Sequence, residues 1–134
     1  MKRLFVDTGA WFAYSNASDP DHRRVARAVE GFDGRLVTSN FVFDEVVTLC
    51  LSRFGHATAA RVGTTLLDPV VTDLVRLTTK DERDAWALFL DRPDKDYSFT
   101  DCTSFVLMRR LRLITAAALD AHFQSEGFQV IPLA

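Results

Sequence analysis

Short apolar runs alternate along this chain with longer stretches of helical period, and that alternation limits the fold more than any other feature. Leu4-Phe5-Val6, Leu36-Val37-Thr38, Val70 to Leu77, Leu113-Ile114-Thr115 and Gln129-Val130-Ile131 read as strands. Between them lie a short helical segment at 11–14 and a helix introduced by Ser18-Asp19-Pro20. Further helices are expected over 41–54, 58–67, 81–90, 100–111 and 121–126. Strands separated by helices cannot be joined as hairpins, so the pattern favours a mostly parallel α/β sheet covered on both faces.

Local signals refine the boundaries. Pro20 suits a first helical turn, and Asn40 and Thr100 stand where N-caps are expected. Gly31 to Gly34, Gly55 and Asp68-Pro69 read as stops. The 41–54 segment is apolar nearly all round, which predicts deep burial. Trp86 and Phe89 are expected to face inward, and His22 and His56 to lie at the surface. Trp11, Phe12 and Tyr14 suit the core, a dimer interface or a partner groove.

At 134 residues, one domain over 1–134 is expected, and 48% hydrophobic content with 11 Phe and 2 Trp is enough for its core. No apolar run approaches the ~20 residues of a membrane span. Asp7 interrupts the N-terminal apolar stretch where a signal peptide would continue it. Cys50 and Cys102 sit among apolar neighbours, as buried thiols in a reducing compartment do. The expectation is a cytoplasmic protein. A net charge of −2 gives no global nucleic-acid signature, but Arg23-Arg24-Arg27 and Arg109-Arg110-Arg112 offer local phosphate contacts or plain solvated faces.

In a parallel sheet, residues at the carboxyl ends of strands converge. Asp7 directly follows the first strand, Asp120 follows the 113–115 strand, and Asp101 stands in the first turn of its helix. Glu45 interrupts the most apolar helix, where a carboxylate needs compensation. Four converging carboxylates repel, and a divalent cation relieves this most simply. Oxygen donors suit Mg²⁺ or Mn²⁺, and no His/Cys spacing resembles a zinc site. No Ser or Cys sits beside a convincing His as a covalent nucleophile. Each acid also has a plainer reading: Asp7 or Asp120 as a cap, Asp101 on the helix dipole, Glu45 in solvent.

The wording around these acids sharpens the reading. Phe5-Val6-Asp7-Thr8-Gly9-Ala10-Trp11, Asn40-Phe41-Val42-Phe43-Asp44-Glu45-Val46, Asp96-Tyr97-Ser98-Phe99-Thr100-Asp101-Cys102 and Leu119-Asp120-Ala121-His122-Phe123 occur in that order across nearly the whole chain. Together they resemble the acidic elements of PIN-domain proteins, in particular VapC-type ribonuclease toxins of toxin–antitoxin pairs. The resemblance implies a three-layer α/β/α sandwich and Mg²⁺- or Mn²⁺-dependent cleavage of RNA, of the tRNA or rRNA class. It further implies water activated by metal, a cognate VapB-like antitoxin and a homodimer. Asp7, Glu45 and Asp101 would be the core metal ligands, Asp120 an outer or second-metal ligand. Thr8 and Ser98 would orient carboxylates or water. The chain departs from the family at Ala116-Ala117-Ala118-Leu119, where a Thr or Ser often precedes the last acid. His122, beside Phe123, reads first as structural and second as a general acid or base.

Two other classes are weighed against this. Asp7-Thr8-Gly9 is also the triplet of aspartic proteases, but those are nearly all β, whereas this chain is rich in helices. A non-catalytic RNA- or partner-binding module of the same fold would not need Asp7, Glu45, Asp101 and Asp120 together. A phosphoacceptor domain lacks counterparts for its paired acids and late lysine.

Overall fold

Residues 2–133 are described by the structure, a computed structural model. In chain order the elements are β1 (Arg3–Val6), α1 (Thr8–Tyr14), α2 (His22–Glu30), β2 (Arg35–Ser39), α3 (Asn40–Phe54) and α4 (His56–Leu67). They continue with β3 (Thr72–Val75), α5 (Thr79–Asp91), α6 (Phe99–Arg110), β4 (Thr115–Ala117), α7 (His122–Ser125) and β5 (Gln129–Ile131). Every strand pair is parallel, in the order β3-β2-β1-β4-β5.

Leu4, Phe5 and Val6 are wholly buried because β1 is the central strand, with neighbours on both edges and helices on both faces. This is the three-layer α/β/α sandwich, and it explains why β1 reads as a continuous apolar run rather than an alternating one. The chain winds outward from β1 through β2 to β3, then returns to lay β4 on the other side of β1. That reversal leaves a crevice beyond the carboxyl ends of β1 and β4, the place where sheets of this kind hold their sites. Val6 pairs with Ala117, and the Asp7 N–H donates to the Ala117 carbonyl at 2.9 Å, so the register continues to the edge of the crevice.

Beneath the crevice lies an aromatic cluster. Phe123 stands 4.9 Å from Phe105 and 6.2 Å from Phe5, and Tyr97 meets Phe105 edge-on at 5.0 Å. Burial of each such ring contributes about 1.5–3 kcal/mol, with edge-on geometry adding ~0.5–1.5 kcal/mol. α6 is the most enclosed helix: Asp101, Cys102, Thr103, Ser104 and Phe105 are consecutive buried residues.

Several sequence expectations are corrected. α3 buries a single stripe, Val42, Val46 and Cys50, while Leu51 and Phe54 are exposed, so its apolar circumference is only partly covered. Trp86 and Phe89 face outward and stack on each other at 5.4 Å, because Asp81 and Ala85 occupy the inward face of α5. The caps fall earlier than expected: Ser39 rather than Asn40 for α3, and Ser98 rather than Thr100 for α6. Asn40 instead accepts the Leu77 N–H, tying α3 to the segment after β3. The capping position before α2 is Asp21, beyond Pro20, and β4 runs two residues later than expected, leaving Ile114 exposed. His22 is half-buried, its Nδ1 2.8 Å from the Ala13 carbonyl oxygen.

Candidate active site

Asp7 occupies the cap position of α1, yet its carboxylate makes no capping hydrogen bond. It is buried, and burial is the main force pushing its carboxyl up to about 8. The Thr8 N–H pulls the other way, and the negative fields of Asp101, Asp120 and Glu45 add to the rise. An acid whose ionised form is opposed by three other acids cannot be explained as a cap. The four carboxylates named from the sequence are brought to one end of the sheet.

Each arrives on a different element. Asp101 sits in the first turn of α6, where it forms a capping box with Ser98: the Asp101 N–H donates to Ser98 Oγ at 3.0 Å, and the Ser98 N–H donates to Asp101 Oδ2 at 2.9 Å. Asp120 follows β4 and accepts the His122 N–H at 3.0 Å, a local turn bond that caps nothing further along α7. Glu45, half-buried on α3, lines a groove of about 340 Å³ with Thr48, Ser52 and Thr100; its neighbour Asp44 is exposed. Thr8 is buried, and its hydroxyl oxygen has no hydrogen-bond partner among the described residues.

His122 belongs to this group more closely than its sequence suggested. Its Nδ1 lies 3.0 Å from Asp101 Oδ2 and 3.9 Å from Asp120 Oδ2, and one donor atom from each of the three falls within 4.8 Å of the others. The ring also meets Tyr97 edge-on at 5.2 Å. Asp101 and His122 are twenty-one positions apart, so only the Asp-x-His spacing in the turn after β4 hinted at it.

The residues fit a divalent cation. Donor atoms of Asp101, Asp120 and His122 gather within 4.8 Å, while Asp7 and Glu45 stand outside that trio and reach it through their charge, so the site is rich in oxygen and short of positive charge. Cys102 is not a rival ligand or nucleophile, since burial, with Asp101 and Glu126, pushes its thiol up to about 11.

Behind the site a second set of ions was not anticipated. The Glu126 carboxylate is 4% exposed and accepts from Arg92 at 3.0 Å, Tyr97 Oη at 2.9 Å and Arg109 at 3.1 Å. Burial alone would raise its carboxyl, but Arg92, Tyr97 and Arg109 outweigh this and hold it below the ordinary carboxylate range. Asp81 on α5 is clamped in the same manner by Arg110 of α6 at 2.8 Å.

Comparison with known proteins identifies the family. The sequence profile of the PIN domain matches residues 4–128. The 23S rRNA-specific endonuclease VapC20 of Mycobacterium tuberculosis is 35% identical over 125 residues, covering 93% of this chain and 95% of that protein. A VapC ribonuclease of Archaeoglobus fulgidus is 31% identical over 113 residues, 81% of this chain and 71% of its own length. The crystal structure of Mycobacterium tuberculosis VapC20, described as a sarcin–ricin loop cleaving toxin, matches with a TM-score of 0.88 and 34% identity over 93% of this chain and 95% of that one. A toxin–antitoxin complex from Klebsiella pneumoniae shares the fold, with a TM-score of 0.67 at 12% identity, over 96% of this chain and 95% of that one. The chain belongs to the PIN-domain family, within its VapC-type members.

Proposed function

We propose that this protein is a Mg²⁺- or Mn²⁺-dependent endoribonuclease, the toxin of a toxin–antitoxin pair, built as one domain. Asp7, Glu45, Asp101 and Asp120 hold the cation. The observation that carries this reading is the Asp7 carboxyl, buried without a cationic partner among the described residues and pushed to about 8 among three other acids. Such an arrangement is unfavourable for a purely structural carboxylate and suits one that meets a metal.

When bound, the cation supplies positive charge against the scissile phosphodiester and makes water a better nucleophile at neutral pH. The chain's own groups set the stage. Ser98 fixes Asp101 through its N–H, His122 holds the other side of the same carboxylate oxygen, and the unpartnered Thr8 hydroxyl is free to orient a ligand beside Asp7. Hydrolysis by water leaves a 5′-phosphate and a 3′-hydroxyl. A 2′,3′-cyclic phosphate product would contradict it.

Identity of 35% to a relative named for 23S rRNA favours ribosomal RNA, and the sarcin–ricin loop in particular, over tRNA as substrate. A cognate antitoxin covering the acidic crevice, homodimer formation and a cytoplasmic location complete the reading. Among the described residues no helix is long and apolar enough to cross a membrane.

The test is cleavage of a sarcin–ricin hairpin and of bulk tRNA by purified protein with Mg²⁺ or Mn²⁺, beside EDTA and Asp101→Asn controls. Hairpin fragments that vanish in both controls are expected. No cleavage under any condition, with no cation binding by calorimetry, would leave a binding module of the same fold.

A further inference from the structure

At the opposite end of the sheet, beyond the amino ends of β1, β4 and β5, lies a cavity of about 430 Å³. Its lining includes Lys2, Arg3, Arg112, Phe32, Thr115 and Gln129 and, among the described residues, no acid. Asp33, nearby in sequence, lines the adjoining groove instead, and Asp73, which feels the Arg3 charge, is held by Arg35. Among the described residues, none of the three cations has a carboxylate within ion-pair distance. Arg3 uses one guanidinium nitrogen to cap the Leu111 carbonyl at 2.8 Å and keeps its others.

Two features indicate that the cavity is built rather than incidental. Arg112 has φ 59, the left-handed conformation that closes α6, with the Leu113 N–H donating to Met108 and the Arg112 N–H to Arg109. Glycine or asparagine is the ordinary occupant there, because a Cβ is disfavoured. An arginine at that position is poor for the turn but adds a cation to the cavity's lining. Gly34 is the second feature. A Cβ on it would overlap the Lys2 carbonyl and come within 2.8 Å of the Phe32 ring, so the missing side chain lets that ring lie against the start of β1.

We propose that this cavity is a second ligand site, which takes a nucleotide: its phosphate among Lys2, Arg3 and Arg112, its base against Phe32 and the Gln129 amide. Arginine supplies planar, charge-assisted contacts to phosphate oxygens, and an aromatic face accepts any base by stacking. The site is separated from the acid crevice by the full length of β1. A nucleotide here therefore does not compete with the scissile bond, whether it is free in solution or part of an RNA strand.

The probes are adenosine 5′-monophosphate, inorganic phosphate and a short RNA oligonucleotide. Each is titrated by calorimetry into the Asp101→Asn protein in EDTA. Adenosine monophosphate should bind in the sub-millimolar range, and Arg112→Gly should weaken it at least about tenfold, the effect of losing one charge-assisted contact. Because glycine suits φ 59, that variant should keep its Tm or gain a few degrees, so lost binding is not lost folding. Lys2→Gln, at an exposed position, should lower the affinity independently. Tenfold tighter binding of the oligonucleotide that Arg112→Gly removes assigns the site to an RNA strand, and an oligonucleotide no more sensitive to Arg112→Gly than adenosine monophosphate assigns it to free nucleotides. No binding, undiminished binding to Arg112→Gly, or phosphate bound as tightly as the nucleotide would overturn the proposal. None of these outcomes bears on cleavage at the acid crevice, which the hairpin assay reads separately.

Discussion

Asp7 and Asp81 are both buried aspartates at the start of helices, and they behave oppositely. Asp81 lies under the Arg110 guanidinium and accepts the Thr78 N–H; burial works to raise its carboxyl, but these partners hold it below the ordinary range. Asp7 has only the Thr8 N–H on its side and three acids against it, and its carboxyl rises to about 8. Burial is common to both, so burial alone does not set which way a carboxyl shifts. The charge of the neighbours does.

The largest effect that tests this contrast is on activity. Asp7→Asn should reduce RNA cleavage by more than about 100-fold, since even residues that merely support metal ligands cost 10–100-fold. The same substitution should stabilise the metal-free protein, on the order of a few kcal/mol at neutral pH, because it removes an ionisable group held far from its ordinary value. A denaturant titration that finds Asp7→Asn less stable than the parent protein in EDTA would overturn the contrast.

Arg110→Met should have the reverse profile. It leaves the Asp81 carboxylate buried and unpaired, and a loss of about 1–3 kcal/mol is expected, less than for a fully buried pair because Arg110 is itself 41% exposed. Cleavage per folded molecule should be unchanged. Adding Asp81→Asn to Arg110→Met should restore most of the loss, and failure to do so would mean that Arg110 matters through its packing alone.

The last effect is a slope. A raised carboxyl such as Asp7 gives stability that is full below about pH 4 and lost as pH climbs toward 8, since the unfolded chain releases that proton first. Asp81 and Glu126, with lowered carboxyls, give stability present above the ordinary range and lost as pH falls through their folded values. In EDTA the unfolding midpoint should therefore decline between pH 5 and 8. The decline should flatten with Mn²⁺ and vanish in Asp7→Asn. A flat parent curve would place Asp7 in an ordinary environment.

How much of this the sequence disclosed depends on how local each cause is. The run before Asp7 announces a buried strand because three apolar residues followed by Asp-Thr-Gly leave little else for it to be. The alternation of strands and helices indicates parallel pairing for the same local reason. Apolar content misled where it had no period to constrain it. α3 carries apolar residues nearly all round, but tertiary packing covers only the Val42, Val46 and Cys50 stripe, and on α5 the inward face goes to Asp81 and Ala85 rather than to Trp86. Ser98 outranked Thr100 as a cap because its hydroxyl can reach the Asp101 N–H three residues on, while Asp101 answers in return. The approach of His122 to Asp101 and the gathering of Arg92, Tyr97 and Arg109 around Glu126 depend on how α6 and α7 are laid together, and no pattern along the chain encodes that distance.

The four acids are contributed at positions 7, 45, 101 and 120, and the turn bearing Asp120 is held by the Ala118 N–H donating to Ile131 on β5. Between the first and last acid lies most of the polypeptide. A ribosome making this protein has therefore exposed Asp7 long before the residues that complete its surroundings emerge. Until β5 docks, the turn that bears Asp120 lacks the Ile131 carbonyl that holds it. The order of the strands thus puts completion of the acidic crevice at the very end of synthesis.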